Sequence, residues 1–294
     1  MMKPRPIYHL DAEPGLRGGE RQLLYLAAAL RARGRRNVVC ARRGGELEAE
    51  ARRQGFETAR ASAAVVLRAR SDGGIVHAHT GHAAGTAALA AWAGLPVVAH
   101  RRVDFPVSGL SARWKYGAAG KVVCVSGAIA DIMKAAGTPA SRLAVIPDGL
   151  PATAEESRWA GVDPARFAPP TPEARAAFRR ELAAEFNFPP DALLIGNLAA
   201  LVPHKDHAAL LAAAVIVLLQ RPKVKFLIAG RGPEEHSLFE SIKRMGLLGK
   251  VILLGHREDP APLLKALDIY VQSSWGEGMG SVLIEAAACG VPVA

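Results

Sequence analysis

The chain has 294 residues, half of them apolar, with few aromatics and an abundance of Ala, Val, Leu, Gly and Arg. That is enough to bury one large core or two ordinary ones, and it favours an α/β chain over an all-β sandwich. Every apolar run is broken within a dozen residues, which leaves no transmembrane span, and no apolar stretch follows the basic start Met-Met-Lys-Pro-Arg-Pro to make a signal peptide.

Three isolated cysteines, Cys40, Cys124 and Cys289, lie in apolar segments without disulfide or zinc spacing. They read as small core residues in a reducing compartment, so the expected location is cytoplasmic. The net charge of +10 is unevenly placed: residues 1–150 hold 22 Lys and Arg against 11 Asp and Glu, and residues 151–294 hold 15 against 16. The densest basic stretch runs through Arg31, Arg33, Arg35, Arg36, Arg42 and Arg43. Two readings fit it. One is attraction to anionic lipid headgroups or a phosphorylated acceptor, which would put the protein at the inner face of the membrane. The other is ordinary solvated surface in an Arg-rich chain. Nucleic acid is not an expected partner, because the arginines lack interleaved aromatics for base stacking.

Short apolar strands alternate with Ala/Leu-rich helices. Strands are predicted at Pro6–Leu10, Asn37–Ala41, Ile75–His79, Pro96–Ala99, Val122–Val125 and Leu143–Ile146, with helices near Gly19–Arg33, Leu47–Gln54, His82–Ala93 and Ala128–Ala136. Continuous apolar strands joined by helices imply a parallel sheet covered on both faces. From Pro147 to Pro172 a Pro-rich, polar stretch reads as an inter-domain connection. Thr171-Pro172-Glu173 opens a new helix, and the alternation resumes with strands Leu193–Leu198, Lys225–Ala229, Val251–Leu254 and Asp268–Gln272. Helices are expected near Asp206–Leu219, Glu234–Met245, Pro260–Ala266 and Ser281–Ala288. Val291-Pro292-Val293-Ala294 reads as the opening of a further strand, so the second lobe is expected to be incomplete. The predicted architecture is α/β, two Rossmann-like parallel-sheet lobes facing a cleft, residues 1–170 and 171–294, with ligands outside the carboxyl ends of the strands.

The segment from Ser273 to Val293 carries the most chemistry. It is a strand, a Gly-rich loop bearing Glu277, and a helix bearing Glu285. Gly278 and Gly280 let backbone approach a ligand, and a helix start suits a diphosphate. Helical side chains lean toward the N-terminus, so Glu285 can face the same pocket and accept from two ribose hydroxyls. Lys205, after the first strand of the second lobe, can neutralise charge on a phosphate. Asp206 reads as an N-cap, and His204 and His207 as surface residues.

This segment resembles the E-x7-E signature of glycosyltransferase family 4, retaining transferases with the two-lobed GT-B fold that include sucrose and glycogen synthases. The similarity extends through Ile195–Lys205, Phe226–Pro233 and Val251–Asp259. The resemblance implies that Glu285 binds the ribose and that Glu277 lies beside the donor sugar. It also places the Gly278, Met279 and Gly280 amides on sugar hydroxyls or phosphates, and Arg257 at the nucleobase. In the first lobe, Gly18-Gly19-Glu20 matches the family's Gly-rich loop near diphosphate and acceptor. His79 and His100 are alternative candidates for a His near the transferred sugar, and Ser126 and Asp148-Gly149 match family-typical strand ends. The family's Arg five residues before the Lys is replaced by Ala200.

The expected reaction is transfer of a sugar from a UDP- or GDP-linked donor to a glycan or glycolipid acceptor hydroxyl, with retention, in cell-surface polysaccharide or lipopolysaccharide synthesis. No cofactor is expected. With no Asp-x-Asp-type cluster, no metal is expected either, and Lys205 and helix amides would hold the diphosphate. Two alternatives are a nucleotide-sugar epimerase on the same fold and a catalytically impaired nucleotide-sugar-binding fragment, the latter favoured by Ala200.

Overall fold

The computed structural model describes residues 4–151 and 153–294 and divides between Asp163 and Pro164 into two units. In the first, the elements run β1 (Ile7–Leu10), α1 (Gly18–Ala32), β2 (Asn37–Ala41), α2 (Glu46–Arg53), β3 (Glu57–Arg60), α3 (Ala64–Ser71) and β4 (Ile75–Ala78). They continue through α4 (Gly81–Trp92), β5 (Val97–Arg101), α5 (Gly109–Tyr116), β6 (Lys121–Cys124), α6 (Gly127–Ala135), β7 (Leu143–Val145) and α7 (Ala154–Ala160). The seven strands lie in the order β3-β2-β1-β4-β5-β6-β7, and every pair is parallel. The order reverses between β1 and β4, the kind of switch point where open α/β sheets bind ligands.

Sequence dictates these elements locally. Val38, Val39, Cys40 and Ala41 are fully buried, as a central parallel strand requires. Leu23, Leu24, Ala27 and Ala28 of α1 cover Val39 and Ala41 on one face of the sheet, together with Leu47 and Ala51 of α2. Thr80, Ser108 and Ser126 start α4, α5 and α6 by accepting a backbone N–H three residues on. All three cysteines are buried. Three segments of the first unit that had no predicted element are ordered. The polar β3, Glu-Thr-Ala-Arg, pairs at the sheet edge, where no apolar face is needed. The short helices α3 and α5 fill crossovers. The stretch expected to be a plain connection holds α7, started by a capping box at Thr153 and Glu156, and α7 packs on α1 within the first unit.

The second unit runs α8 (Pro172–Phe186), β8 (Leu193–Leu198), α9 (His207–Gln220), β9 (Val224–Ala229), α10 (Glu235–Arg244) and β10 (Val251–Gly255). It continues with α11 (Ala261–Ala266), β11 (Ile269–Tyr270) and α12 (Ser281–Ala288). Its parallel sheet has the order β10-β9-β8-β11, reversing between β8 and β11. Beyond β11, the Tyr270 amide donates to the Pro292 carbonyl at 2.9 Å and the Ala294 amide to the Tyr270 carbonyl at 2.9 Å, so the last residues pair as the next parallel neighbour. Leu210, Leu211 and Ala214 of α9 meet Phe226 and Ile228 of β9 and Leu238 and Ile242 of α10 in the core.

The start of this sheet is held by one carboxylate. Asp268, just before β11, accepts from Arg175 Nη2 at 2.7 Å, Arg179 Nη1 at 3.0 Å and the Leu194 amide at 2.8 Å. The same arginines donate to the carbonyls of Leu267 and Ala266, tying α8 to α11 and β11. The Asp268 side chain is 24% exposed and Arg179 is 14% exposed, so removing the acid strands two partly buried cations and an amide. Asp268→Ala is expected to cost about 2–4 kcal/mol in urea unfolding followed by circular dichroism. A midpoint shift worth less than about 1 kcal/mol would show the network to be no stronger than surface ion pairs.

Candidate functional site

In the second unit, the loops leaving β8 and β11, the two strands that flank its switch point, are sewn together. The Gly230 and Gly232 positions press on the first of these loops. A Cβ on Gly230 would fall 1.8 Å from the Ala199 carbonyl oxygen, and one on Gly232 2.2 Å from that of Leu201. Only glycine fits such contact with backbone. The Leu201 amide in turn donates to the Arg231 carbonyl at 2.9 Å. Lys205 closes a 3₁₀ turn, and Asp206 follows in the left-handed region at φ 47 while its carboxylate caps α9 through the Ala209 amide. The Ser273 hydroxyl donates to the Lys205 carbonyl at 2.8 Å, and the Trp275 amide to the His204 carbonyl at 3.2 Å.

These contacts place Lys205 Nζ in an ion pair with Glu277 Oε2, to which Gln272 Nε2 also donates at 3.1 Å and Ser274 Oγ at 3.4 Å. Neither charge is widely exposed (15% and 29%), so each offsets the desolvation of the other. Gly278 and Gly280 are buried beside them, and Gly280 takes φ 68 at the start of α12. A Cβ there would come 2.8 Å from Leu283 Cδ1 and 3.5 Å from Glu277 Cγ. Met279 is partly buried in the same loop. The first amides of any helix have no partner within it, so α12 offers donors to an anion. Glu285 lies half-buried on the second turn of α12. Arg257 is committed elsewhere: Nη2 donates to Glu185 Oε1 at 2.8 Å, and its guanidinium lies 5.2 Å over the Phe186 ring. His207, expected at the surface, is 3% exposed, and burial lowers its pKa.

In the first unit, strand register gathers four histidines. His9 on β1 lies opposite His77 on β4, and His79 and His100 follow at the ends of β4 and β5. All four are at most 8% exposed, with the His77 and His79 ring centroids 4.1 Å apart and those of His79 and His100 5.8 Å. Burial holds every one of them neutral, with His9 lowered to about 4, His100 to about 3, and His77 and His79 well below the usual imidazole range.

Arg102 is the hub of this cluster. Its Nε donates to Asp148 Oδ2 at 2.9 Å and Oδ1 at 3.1 Å, Nη1 to His79 Nδ1 at 3.2 Å, and Nη2 to His100 Nδ1 at 3.4 Å. Asn37 Nδ2 donates to the Arg35 carbonyl, which leaves its Oδ1 to accept from His9 Nε2 at 3.0 Å. His9 Nδ1 then accepts from His79 Nε2 at 3.1 Å. His77 Nε2 and His100 Nε2 have no hydrogen-bond partner among the described residues. Ligand atoms of His9, His77 and His79 lie within 4.8 Å of one another, close enough to share a metal ion. Both ring nitrogens of His79 are already in hydrogen bonds, Nδ1 with Arg102 and Nε2 with His9, so an ion there fits only if His79 gives up one of them.

Gly18 and Gly19 open α1 beside this cluster, and a Cβ on Gly19 would meet Arg102 Cδ at 3.8 Å. Gln22 exchanges hydrogen bonds with the Gly149 backbone and so anchors the segment carrying Asp148. Ser126 caps α6 through the Ile129 amide at 3.4 Å. Asp11, absent from the sequence-based candidates, is fully buried after β1. Its Oδ2 lacks a hydrogen-bond partner, and burial pushes its pKa up to about 7. His9 and Asn37 were likewise not foreseen, because strand register, not sequence spacing, brings them to their partners, and Gln272, five residues before Glu277, was also missed.

Comparison with known proteins bears on both units. Residues 16–153 match the model of Glycosyltransferase Family 4, and residues 178–294 that of Glycosyl transferases group 1. Over 109 residues the chain is 29% identical to an O-antigen biosynthesis glycosyltransferase, WclY, of Escherichia coli, covering 37% of this chain and 30% of that protein. It is 33% identical over 147 residues to a GDP-mannose-dependent monoacylated alpha-(1-6)-phosphatidylinositol monomannoside mannosyltransferase of Corynebacterium glutamicum, covering 45% of this chain and 36% of the other. The chain thus spans about a third of the length of these relatives. Among solved structures, HepE of Anabaena in complex with UDP and glucose superposes with a TM-score of 0.80 at 22% identity, over 99% of this chain and 80% of HepE. The fold is therefore GT-B. Each unit thus matches a glycosyltransferase family model, the first unit that of Glycosyltransferase Family 4.

Proposed function

We propose that the protein transfers a sugar from a nucleoside diphosphate sugar to an acceptor hydroxyl of a glycan or glycolipid, with retention and without a metal ion. The observation that carries this reading is the second-unit cluster. Lys205 and Glu277 meet at the switch point beside a Gly-rich helix start, with Glu285 one turn further along α12. Lys205 and the first amides of α12 take the diphosphate, which competes with Glu277 for the ammonium and frees that carboxylate and Gln272 for sugar hydroxyls. Glu285 accepts from the ribose. As the bond from the anomeric carbon to the phosphate oxygen breaks, the charge left on the diphosphate falls to Lys205. The acceptor hydroxyl attacks from the face just vacated and passes its proton to that phosphate. The first unit binds the acceptor, with Gly18 and Gly19 at the α1 start and one imidazole of the pair His79 and His100 at the sugar. Complexes of HepE with UDP and with UDP-glucose support a nucleotide-linked donor, and the GDP-mannose dependence of the Corynebacterium relative leaves the base open between the two.

A thermal-shift screen with UDP- and GDP-sugars tests the donor class, since a true donor raises the melting temperature with concentration. Glu285→Ala should weaken binding of the stabilising nucleotide by about 1–3 kcal/mol in calorimetry, through loss of charge-assisted acceptors. Unchanged affinity in a folded variant removes Glu285 from the ribose. Lys205→Ala should lower turnover at least roughly a hundredfold, whereas EDTA should leave the parent activity near its starting level. Activity abolished by EDTA and restored by magnesium or manganese would move the diphosphate charge from Lys205 to a metal.

A further inference from the structure

The first unit presents an apolar surface that no element among the described residues covers. On α5, Leu110 is 82% exposed and Trp114 44%, four residues apart and so on one face of the helix. On the neighbouring α4, Leu89 is 40% exposed and Trp92 65%, and the Trp92 and Trp114 rings meet edge to face with centroids 4.5 Å apart. The opposite face of α5 is spent on packing: Ala112 and Tyr116 are buried, and Tyr116 Oη lies 3.5 Å from Arg101 Nη1. Helix α5 is thus moored by one face and offers Leu and Trp on the other. Single exposed apolar residues are ordinary, but a contiguous group containing two tryptophans marks an interaction surface.

Charge identifies the occupant. Arg113 and Lys115 sit on the same helix, and between Gly73 and Ala130 the sequence holds a single carboxylate, Asp104. We infer that the α4–α5 surface is a membrane-docking face, in which Trp92, Trp114, Leu89 and Leu110 enter the interfacial layer of a bilayer while Arg113 and Lys115 meet acidic lipid headgroups. Indole rings favour the level of the headgroups, and a short helix lying in that plane with basic residues at its flank binds in proportion to buried apolar area and to lipid charge. A second copy of the chain fits poorly. A two-fold contact sets the same patch against itself, bringing Arg113 and Lys115 toward their own counterparts with no carboxylates to pair. The docking face is separate from the residues of the proposed transfer reaction and needs no turnover to be observed.

Co-sedimentation of the 294-residue chain with vesicles tests it. Binding to phosphatidylcholine vesicles containing a quarter phosphatidylglycerol should exceed binding to pure phosphatidylcholine by at least roughly tenfold and should weaken as salt is raised. Leu110→Glu, at a position too exposed to disturb folding, should lower the anionic-vesicle partition about tenfold or more. The double variant Arg113→Gln/Lys115→Gln should lower it similarly and flatten the salt dependence. Because Trp275 is also exposed (73%), depth is read in a Trp159→Phe/Trp275→Phe background, where bromine-labelled lipid should quench the emission of Trp92 and Trp114. Circular dichroism and melting temperature equal to the parent establish that each variant is folded. Equal partition of the parent and Leu110→Glu, or no quenching by bound vesicles, overturns the proposal. Self-association that Leu110→Glu abolishes, without vesicle binding by the parent, overturns it in favour of a second copy.

Discussion

A sheet whose strands are all parallel must send every strand out at the same edge. Both units of this protein obey that constraint without exception among their described strands, and the clusters around Lys205 and Arg102 depend on it for their placing. Each strand needs a crossover helix to return, so helices cover both faces and the strand interiors become apolar. Lys205, Glu277, His79, His100 and Arg102 stand at or beyond the carboxyl ends of their strands, where the chain leaves the core. In the second unit the result is the pair of sewn loops that hold Lys205 against Glu277. In the first it is a row of imidazoles around one guanidinium.

The two edges handle burial differently. In the second unit an ammonium and a carboxylate compensate one another, which leaves both charged and able to exchange partners with an incoming ligand. In the first unit the imidazoles escape the cost of burial by staying neutral, and the ion pair among them is that of Arg102 with Asp148. An edge of neutral donors and acceptors suits the recognition of hydroxyls, whereas an edge with a movable cation suits phosphate.

Much of this was legible in the sequence, because long apolar strands, Ala-rich helices and capping residues all announce parallel α/β units. The elements that escaped notice share a physical cause. An edge strand such as Glu57–Arg60 has no apolar alternation to display, and α5 and α7 are too short to show a helical period between their prolines and glycines. Most of the second-unit site was readable because its residues lie close in sequence, from Glu277 to Glu285, with Lys205 coming from afar. The first-unit cluster was readable only in fragments. His79 and His100 stood out as strand ends, but their link to His9 and Asn37 depends on β1 lying beside β4 and β2, which spacing alone does not reveal. The burial of His207 escaped for a similar reason, since its place at the first turn of α9 resembled a surface cap.

The hydrogen-bond chain through the histidines has a fixed sense. At one end stands Arg102, whose nitrogens can only donate; at the other stands the Arg35 carbonyl, which can only accept. No link between them can reverse unless all do, so the row behaves as a proton wire plugged at both terminals and polarised in one direction. His79 has both ring nitrogens committed inside this wire and none to spare for a bound sugar. His100 hangs from the same guanidinium by Nδ1 alone, and its Nε2 proton stays outside the circuit. The two imidazoles that sequence could not separate thus differ in wiring: both ring nitrogens of His79 are hydrogen-bonded, whereas His100 is held by Nδ1 and keeps a buried Nε2 4.0 Å from Asp148 Oδ1.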